Sequence, residues 1–146
     1  MAASYGVGVH EKGEISLERI LAEVRKNPEL EKAGAVGCYV GIVRGRGLKG
    51  RSVRKLLVQA YKEEAEKSLE KIAREILAKP GIVDVRIHHV VGELEVGEPI
   101  LYVVIAGSRR REVFESLREA VDRVKGEAAI RKKEITDSGE YWVPRG

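Results

Sequence analysis

The chain has 146 residues, 43% hydrophobic and 34% charged, with a formal net charge of +4. That length suits one ordinary domain with its own core, and the mix excludes a disordered chain. No apolar run approaches membrane-spanning length, and Met1 to Gly8 lacks the basic start and apolar stretch of a signal peptide, so a cytoplasmic protein is expected.

Residues 1–13 are expected to lie loosely ahead of the first helix. From Leu17 to Lys26, Leu17, Ile20, Leu21 and Val24 share one helical face, with Ser16 as candidate N-cap and Asn27-Pro28 as the stop. Ala35 to Val43 is short, apolar and partly β-branched, which predicts a buried strand with Cys38 inside it as a small hydrophobe. A Gly-rich basic loop follows, Gly45 to Gly50, and Val53 to Tyr61 reads as the partner of that strand. Lys62 to Ala78 is a predicted helix with the apolar stripe Ala65, Leu69, Ile72, Ala73 and Ile76, stopped by Pro80-Gly81. Val83, Val85, Ile87, His89 and Val91 alternate through a strand, and Pro99 to Ala106 forms another. Ser108 is the expected cap of a third helix running to Lys125, with Gly126 beyond its end and Phe114, Leu117, Val121 and Val124 facing the core. Ala129 to Val143 reads as two short strands about the turn Asp137-Ser138-Gly139. The predicted fold class is α+β: one domain over 1–146, an α/β sandwich on an antiparallel or mixed sheet, without the strict alternation of a doubly wound fold.

Cys38 is the only cysteine, so no internal disulfide forms. His88 and His89 are strand neighbours pointing to opposite faces, and no Cys/His spacing supports a metal site. Asn27 and Gln59 are the only side-chain amides, a usage that suits a thermophilic source.

Two stretches concentrate positive charge: Arg44 to Lys55 holds six basic residues and no acid, and Ala106 to Lys133 holds nine basic and five acidic residues. The third helix opens on Arg109, Arg110 and Arg111, where the helix dipole prefers acids. Either an anion is bound there by the guanidinium groups and free N–H groups, or the arginines splay into solvent and pair with Glu112 and Glu115. Arg44-Gly45-Arg46-Gly47 is either an anion-binding loop or a solvated turn; it is not a P-loop, because no Gly-Lys-Ser/Thr follows. Lys125 suits a helix C-terminus. Lys132 and Lys133 fall on alternate strand faces, so only one points toward the sheet. A lysine held near other cations has a lowered pKa and can serve in proton transfer.

From about Glu14 to Val143 the chain resembles the molybdopterin synthase large-subunit family. The resemblance is carried by Gly41-Ile42-Val43-Arg44, His89-Val90-Val91-Gly92-Glu93-Leu94 with Gly97-Glu98, Arg109-Arg110 with Phe114-Glu115, Lys125, Arg131-Lys132-Lys133-Glu134 and Trp142-Val143. It implies a hammerhead-like fold and a sulfurtransferase reaction. A small ubiquitin-like subunit, carrying a thiocarboxylate on its C-terminal Gly-Gly, delivers sulfur to cyclic pyranopterin monophosphate, and two rounds make the dithiolene of molybdopterin. No cofactor is implied. The expected assembly is a heterotetramer around a homodimer of large subunits, each pocket completed across the dimer interface. The resemblance implies that Lys125 and Lys132 are catalytic, and that Ile42, Val43, Arg44, Arg109, Arg110, Lys133 and Glu134 join them in binding substrate. The chain departs from the family at Arg109, where many relatives have histidine, and at Ile130-Arg131, where an aromatic often precedes the second lysine.

Two other readings compete. A nucleic-acid-binding α+β domain would use the same basic stretches on phosphates, but no basic-aromatic motif of an RNA-binding sheet is present. A non-catalytic adaptor of the same fold would not need both matched lysines. A basic pocket favours the synthase; a broad open basic stripe favours nucleic acid.

Overall fold

A computed structural model describes residues 4–145. The elements run β1 (Tyr5–Glu11), α1 (Leu17–Arg25), β2 (Ala35–Ile42), β3 (Val53–Ala60), α2 (Lys62–Leu77), β4 (Ile82–Glu95), β5 (Pro99–Gly107), α3 (Arg110–Glu127), β6 (Ile130–Thr136) and β7 (Gly139–Trp142). The architecture is α+β on a mixed sheet, as predicted. The strand order is β2-β5-β4-β3-β6-β7, antiparallel throughout, and β1 adds in parallel to β4.

The long strand β4 is the hinge of the design. Its first part pairs with β5 on one side and β1 on the other, and its last residues pair with β3 instead. The change of partner falls at Gly92, whose φ of +106° suits a residue without Cβ. Every residue of β5 after Pro99 is buried, because α3 covers one face of the sheet and α1 approaches the other. The core is one cluster joining α1, α2 and α3 to both parts of the sheet.

Ser16 caps α1 as predicted, its hydroxyl accepting from the Arg19 N–H. Asn27 does more than stop that helix: its buried amide donates to the Val83 carbonyl (3.1 Å) and to the Asp84 carboxylate (2.8 Å). Asp84 is fully buried and also holds Arg86, so its charge is paired, as an interior carboxylate requires.

Five expectations need correction. The expected loose segment 1–13 is not loose where it is described: Tyr5–Glu11 forms β1, tied down by ladder bonds to β4 and by the Glu66 carboxylate accepting from the Val9 N–H, and residues 1–3 lie outside the described residues. β3 is not the partner of β2. It pairs with β4 and β6, because the loop between β2 and β3 carries the chain past β5 and β4 into the other half of the sheet. β2 is an edge strand and not a buried one. Its odd residues face α3, where Gly37 gives Val113 room to approach, while Val36, Cys38, Val40 and Ile42 remain exposed. Cys38 is therefore no core hydrophobe, and its partial burial raises the thiol pKa, which weakens it as a nucleophile.

The fifth concerns α3. Arg109, not Ser108, occupies its N-cap, because the Ser108 N–H still bonds the Gly81 carbonyl as an extension of β5. At the other end the helix runs past Gly126 to Glu127, held by the Ala128 N–H to Val124 carbonyl bond. Its buried stripe is Val113, Ser116, Ala120, Val121 and Val124, with Leu117 partly buried, and Phe114 is 65% exposed. No helix among the described residues is long and apolar enough to cross a membrane.

Candidate active site

Where the C-terminal end of α3 meets β6 and the end of β2, the chain encloses a cavity of about 270 Å³. Register explains its chemistry. Leu56 pairs with Glu134, Val58 with Lys132 and Ala60 with Ile130, so these six share the inward face of β3 and β6. Lys132 thus points into the molecule between buried Ile130 and buried Glu134. Burial first, and then the nearby Lys125 charge, lower its pKa from the ordinary lysine value. Arg131 and Lys133 lie on the outward face, each over the Trp142 ring at 4.0 and 4.5 Å. Lys133 also pairs with Glu140 at 3.2 Å.

Lys125 reaches the cavity from the last turn of α3, where the helix dipole favours a cation. Ile42, Val43 and Arg44 enter from β2. Buried Val43 is clamped to the turn after β4 by bonds with Glu98 and Gly97, which presents Ile42 and Arg44 on either side of it. Val143, Pro144 and Arg145 close one wall, with the Val143 N–H bonded to the Lys132 carbonyl.

Among the described residues Glu134 is the one acidic side chain lining the cavity, and its oxygens are already engaged. They accept from the Leu48 N–H at 2.9 and 3.2 Å and so hold the Gly-Arg loop against β6. Gly47 makes this possible, since a Cβ there would lie on the Glu134 carboxylate. We expect Gly47→Ala to cost about 1–3 kcal/mol, the scale of an overpacked contact. Gly45→Ala, whose Cβ would meet only Val96 at 3.5 Å, should change stability by less than about 0.5 kcal/mol. Urea unfolding of the two variants measures this, and equal effects would contradict the clamp.

Of the nine residues singled out in the sequence, the cavity brings together Ile42, Val43, Arg44, Lys125, Lys132 and Glu134. Lys133 does not line it. Neither do Arg109 and Arg110, which border a separate surface depression with Gly34, Ala35, Ser108 and Arg111. They sit at the opposite end of α3 from Lys125, roughly 22 Å away at the rise of an α-helix. Arg111 pairs with Glu115 at 3.3 Å, the solvent-side arrangement expected of a helix surface.

Sequence reasoning missed His89. It continues the inward apolar face of β4 beyond Val85 and Ile87, is 1% exposed and lines the cavity. A polar residue in register with an apolar strand face was the available signal. His88 points the other way, its Nδ1 lying 2.8 Å from the Nε2 of His10. No group of three or more His, Cys, Asp or Glu side chains that could hold a metal occurs among the described residues.

The arrangement places four cations, Arg44, Lys125, Lys132 and Arg145, over an apolar floor that includes Leu56, Ile100 and Val124. It suits an anionic ligand with an apolar body. Over 110 residues the chain is 44% identical to a molybdopterin synthase catalytic subunit of Pyrococcus abyssi, covering 75% of this chain and 74% of that one. It is 31% identical over 132 residues to one from Bacillus subtilis, covering 90% and 81%. The fold superposes on a crystal structure of molybdopterin synthase from Staphylococcus aureus with a TM-score of 0.81 at 29% identity, covering 94% of this chain and 96% of that one. The sequence model described as MoaE protein matches residues 10–127, a span holding β4, the partner-switching Gly92 and the cavity residues from Ile42 to Lys125, and so the chain belongs to the MoaE protein family.

Proposed function

We propose that this chain is the catalytic large subunit of a molybdopterin synthase, a sulfurtransferase. Sulfur comes from the thiocarboxylated C-terminal glycine of a small ubiquitin-like carrier and goes to cyclic pyranopterin monophosphate. The observation that carries the reading is the cavity: its cations converge, and its one acid among the described residues is committed to a loop N–H. Two anions, a thiocarboxylate and a cyclic phosphate, must meet there, and their repulsion needs fixed positive charge. Arg44 and Lys125 are suited to the phosphate, and Lys132 to proton transfer beside the reacting carbon. Sulfur arrives on the carrier, so no thiol of this chain is required, consistent with Cys38 standing on the exposed face of β2. Basic groups gathered in a cavity, and not along an open stripe, favour this reading over nucleic-acid binding.

The site is completed by a second copy. β2 is a free edge with an exposed apolar face, Val36, Val40 and Ile42. It runs from Ala35, beside Arg109 and Arg110, to Ile42 at the cavity, about 23 Å at the rise of a strand. Antiparallel pairing of two β2 edges about a two-fold axis sets one copy's arginine pair beside the other's cavity. Arg109 and Arg110 then serve the phosphate in trans.

Dithiolene product formed from a thiocarboxylated carrier and cyclic pterin tests the activity; none formed by the folded chain refutes it. Mixing Lys132→Ala with Arg110→Ala tests the shared site. After subunit exchange, about a quarter of the sites should be intact and activity should return in proportion, since each mixed dimer regains one complete site. No recovery would mean that each chain's site is self-contained.

A further inference from the structure

We propose that His89 is a positioning residue for Lys132: a neutral imidazole whose Nε2 lone pair accepts a hydrogen bond from the lysine ammonium and holds Nζ toward the bound anion. This rests on the synthase reading and adds a residue to it.

The tautomer follows from geometry. His89 Nδ1 lies 3.0 Å from the Val90 carbonyl oxygen. A carbonyl only accepts, so Nδ1 carries the proton. Burial, and then the Lys132 charge, lower the His89 pKa to about 4, so at neutral pH the second nitrogen is bare. That leaves a free lone pair on a buried residue that lines the same cavity as Lys132.

Lys132 needs such a group. The charged side chains that line the cavity with it are Lys125 from α3, Arg44 after β2, Arg145 from the tail and Glu134 from its own strand. Three are cations. The fourth has its oxygens on the Leu48 N–H. Among the described residues no ion pair involves Lys132, and His89 carries the one uncharged side-chain acceptor that lines the cavity. A half-buried ammonium among cations is costly without an acceptor, and an imidazole lone pair supplies one without adding an acid that would repel the anionic substrate.

The test uses the intact complex with its carrier, together with nitrogen NMR of the full chain. In the wild type, His89 should be the Nδ1–H tautomer at neutral pH. His89→Asn keeps the donor to Val90 and loses the acceptor; His89→Gln keeps an acceptor near the Nε2 position. With Asn, kcat should fall on the order of tenfold with KM for the pterin little changed, the pattern of a misplaced acid–base group. The Lys132 titration midpoint should fall by about half a unit to one unit, because the charged form loses a hydrogen bond. Gln should restore both. An Nε2–H tautomer in the wild type overturns the proposal whether or not any variant folds. So does a Lys132 midpoint that holds or rises in Asn, since a rise would mean the ring acts as a repelling cation. A wild type with the stated tautomer and Lys132 shift but no dithiolene product supports the pairing and sinks the synthase reading instead.

Discussion

Replacing Lys132 with Met should lower single-turnover product formation by roughly a hundredfold or more, the scale of losing a positioned acid–base group. Stability should hold or rise slightly. Met keeps the aliphatic stem against buried Ile130 and Val58 and removes a charge whose depressed pKa marks it as poorly solvated. Lys133→Met is the matched control. It deletes the same charge one residue away on the outward face, where the lysine pairs with Glu140 beside Trp142. A surface pair of that kind contributes about 1 kcal/mol or less, and its loss should leave turnover within a few-fold of wild type. The comparison is made at equal, verified foldedness. Near-normal turnover by Lys132→Met, or a larger defect in Lys133→Met, would place the chemistry on the other face of β6.

Acid should weaken the fold well before the carboxylates titrate. His88 and His89 both have pKa values lowered to about 4, in each case chiefly by burial; His10 and Arg86 add to the effect at His88, and Lys132 at His89. Unfolded, each histidine takes a proton near pH 6.5, whereas the native chain refuses it until about pH 4. The unfolded state therefore binds more protons in this window, so stability falls as pH drops from about 6.5 to 4 and is fully present above it. For His89, almost wholly buried, the loss amounts to about 3 kcal/mol at 1.36 kcal/mol per pKa unit. His88 adds a comparable but smaller loss. Urea unfolding at pH 7 and pH 4.5 measures the drop, and His88→Gln should remove a substantial part of it. A wild type equally stable at both pH values would show that these rings do not stay neutral in the native state.

Much of the fold was legible because helix and strand periodicities are local. The stripes of α1 and α2, the Ser16 cap, the Pro80-Gly81 stop and the final hairpin all follow from residues a few positions apart. The misreadings come from contacts distant in sequence. The apolar run of β2 predicts burial on two faces, yet the chain itself covers only one. The helical spacing of Phe114 with Leu117, Val121 and Val124 predicts that it faces the core; α3 instead turns Val113, Ser116 and Ala120 inward with Val121 and Val124, because Gly37 lets the helix come close. β1 was missed because its short stretch of Gly, Val and His becomes a strand only beside β4.

The candidate site divides in the same way. The sequence by itself determined that Lys132 and Lys133 oppose each other, since strand side chains alternate. It also determined that Arg110 and Lys125 cannot share a pocket within one chain, since one helix of fixed rise lies between them. Which lysine turns inward was decided by the pairing of Lys132 with Val58 on the face that α3 closes. That Glu134 latches the loop, and that His89 and Lys132 line one cavity, was decided only when β4, β6 and the Gly-Arg loop met. Such meetings depend on which surfaces exclude water together, and no local periodicity encodes that.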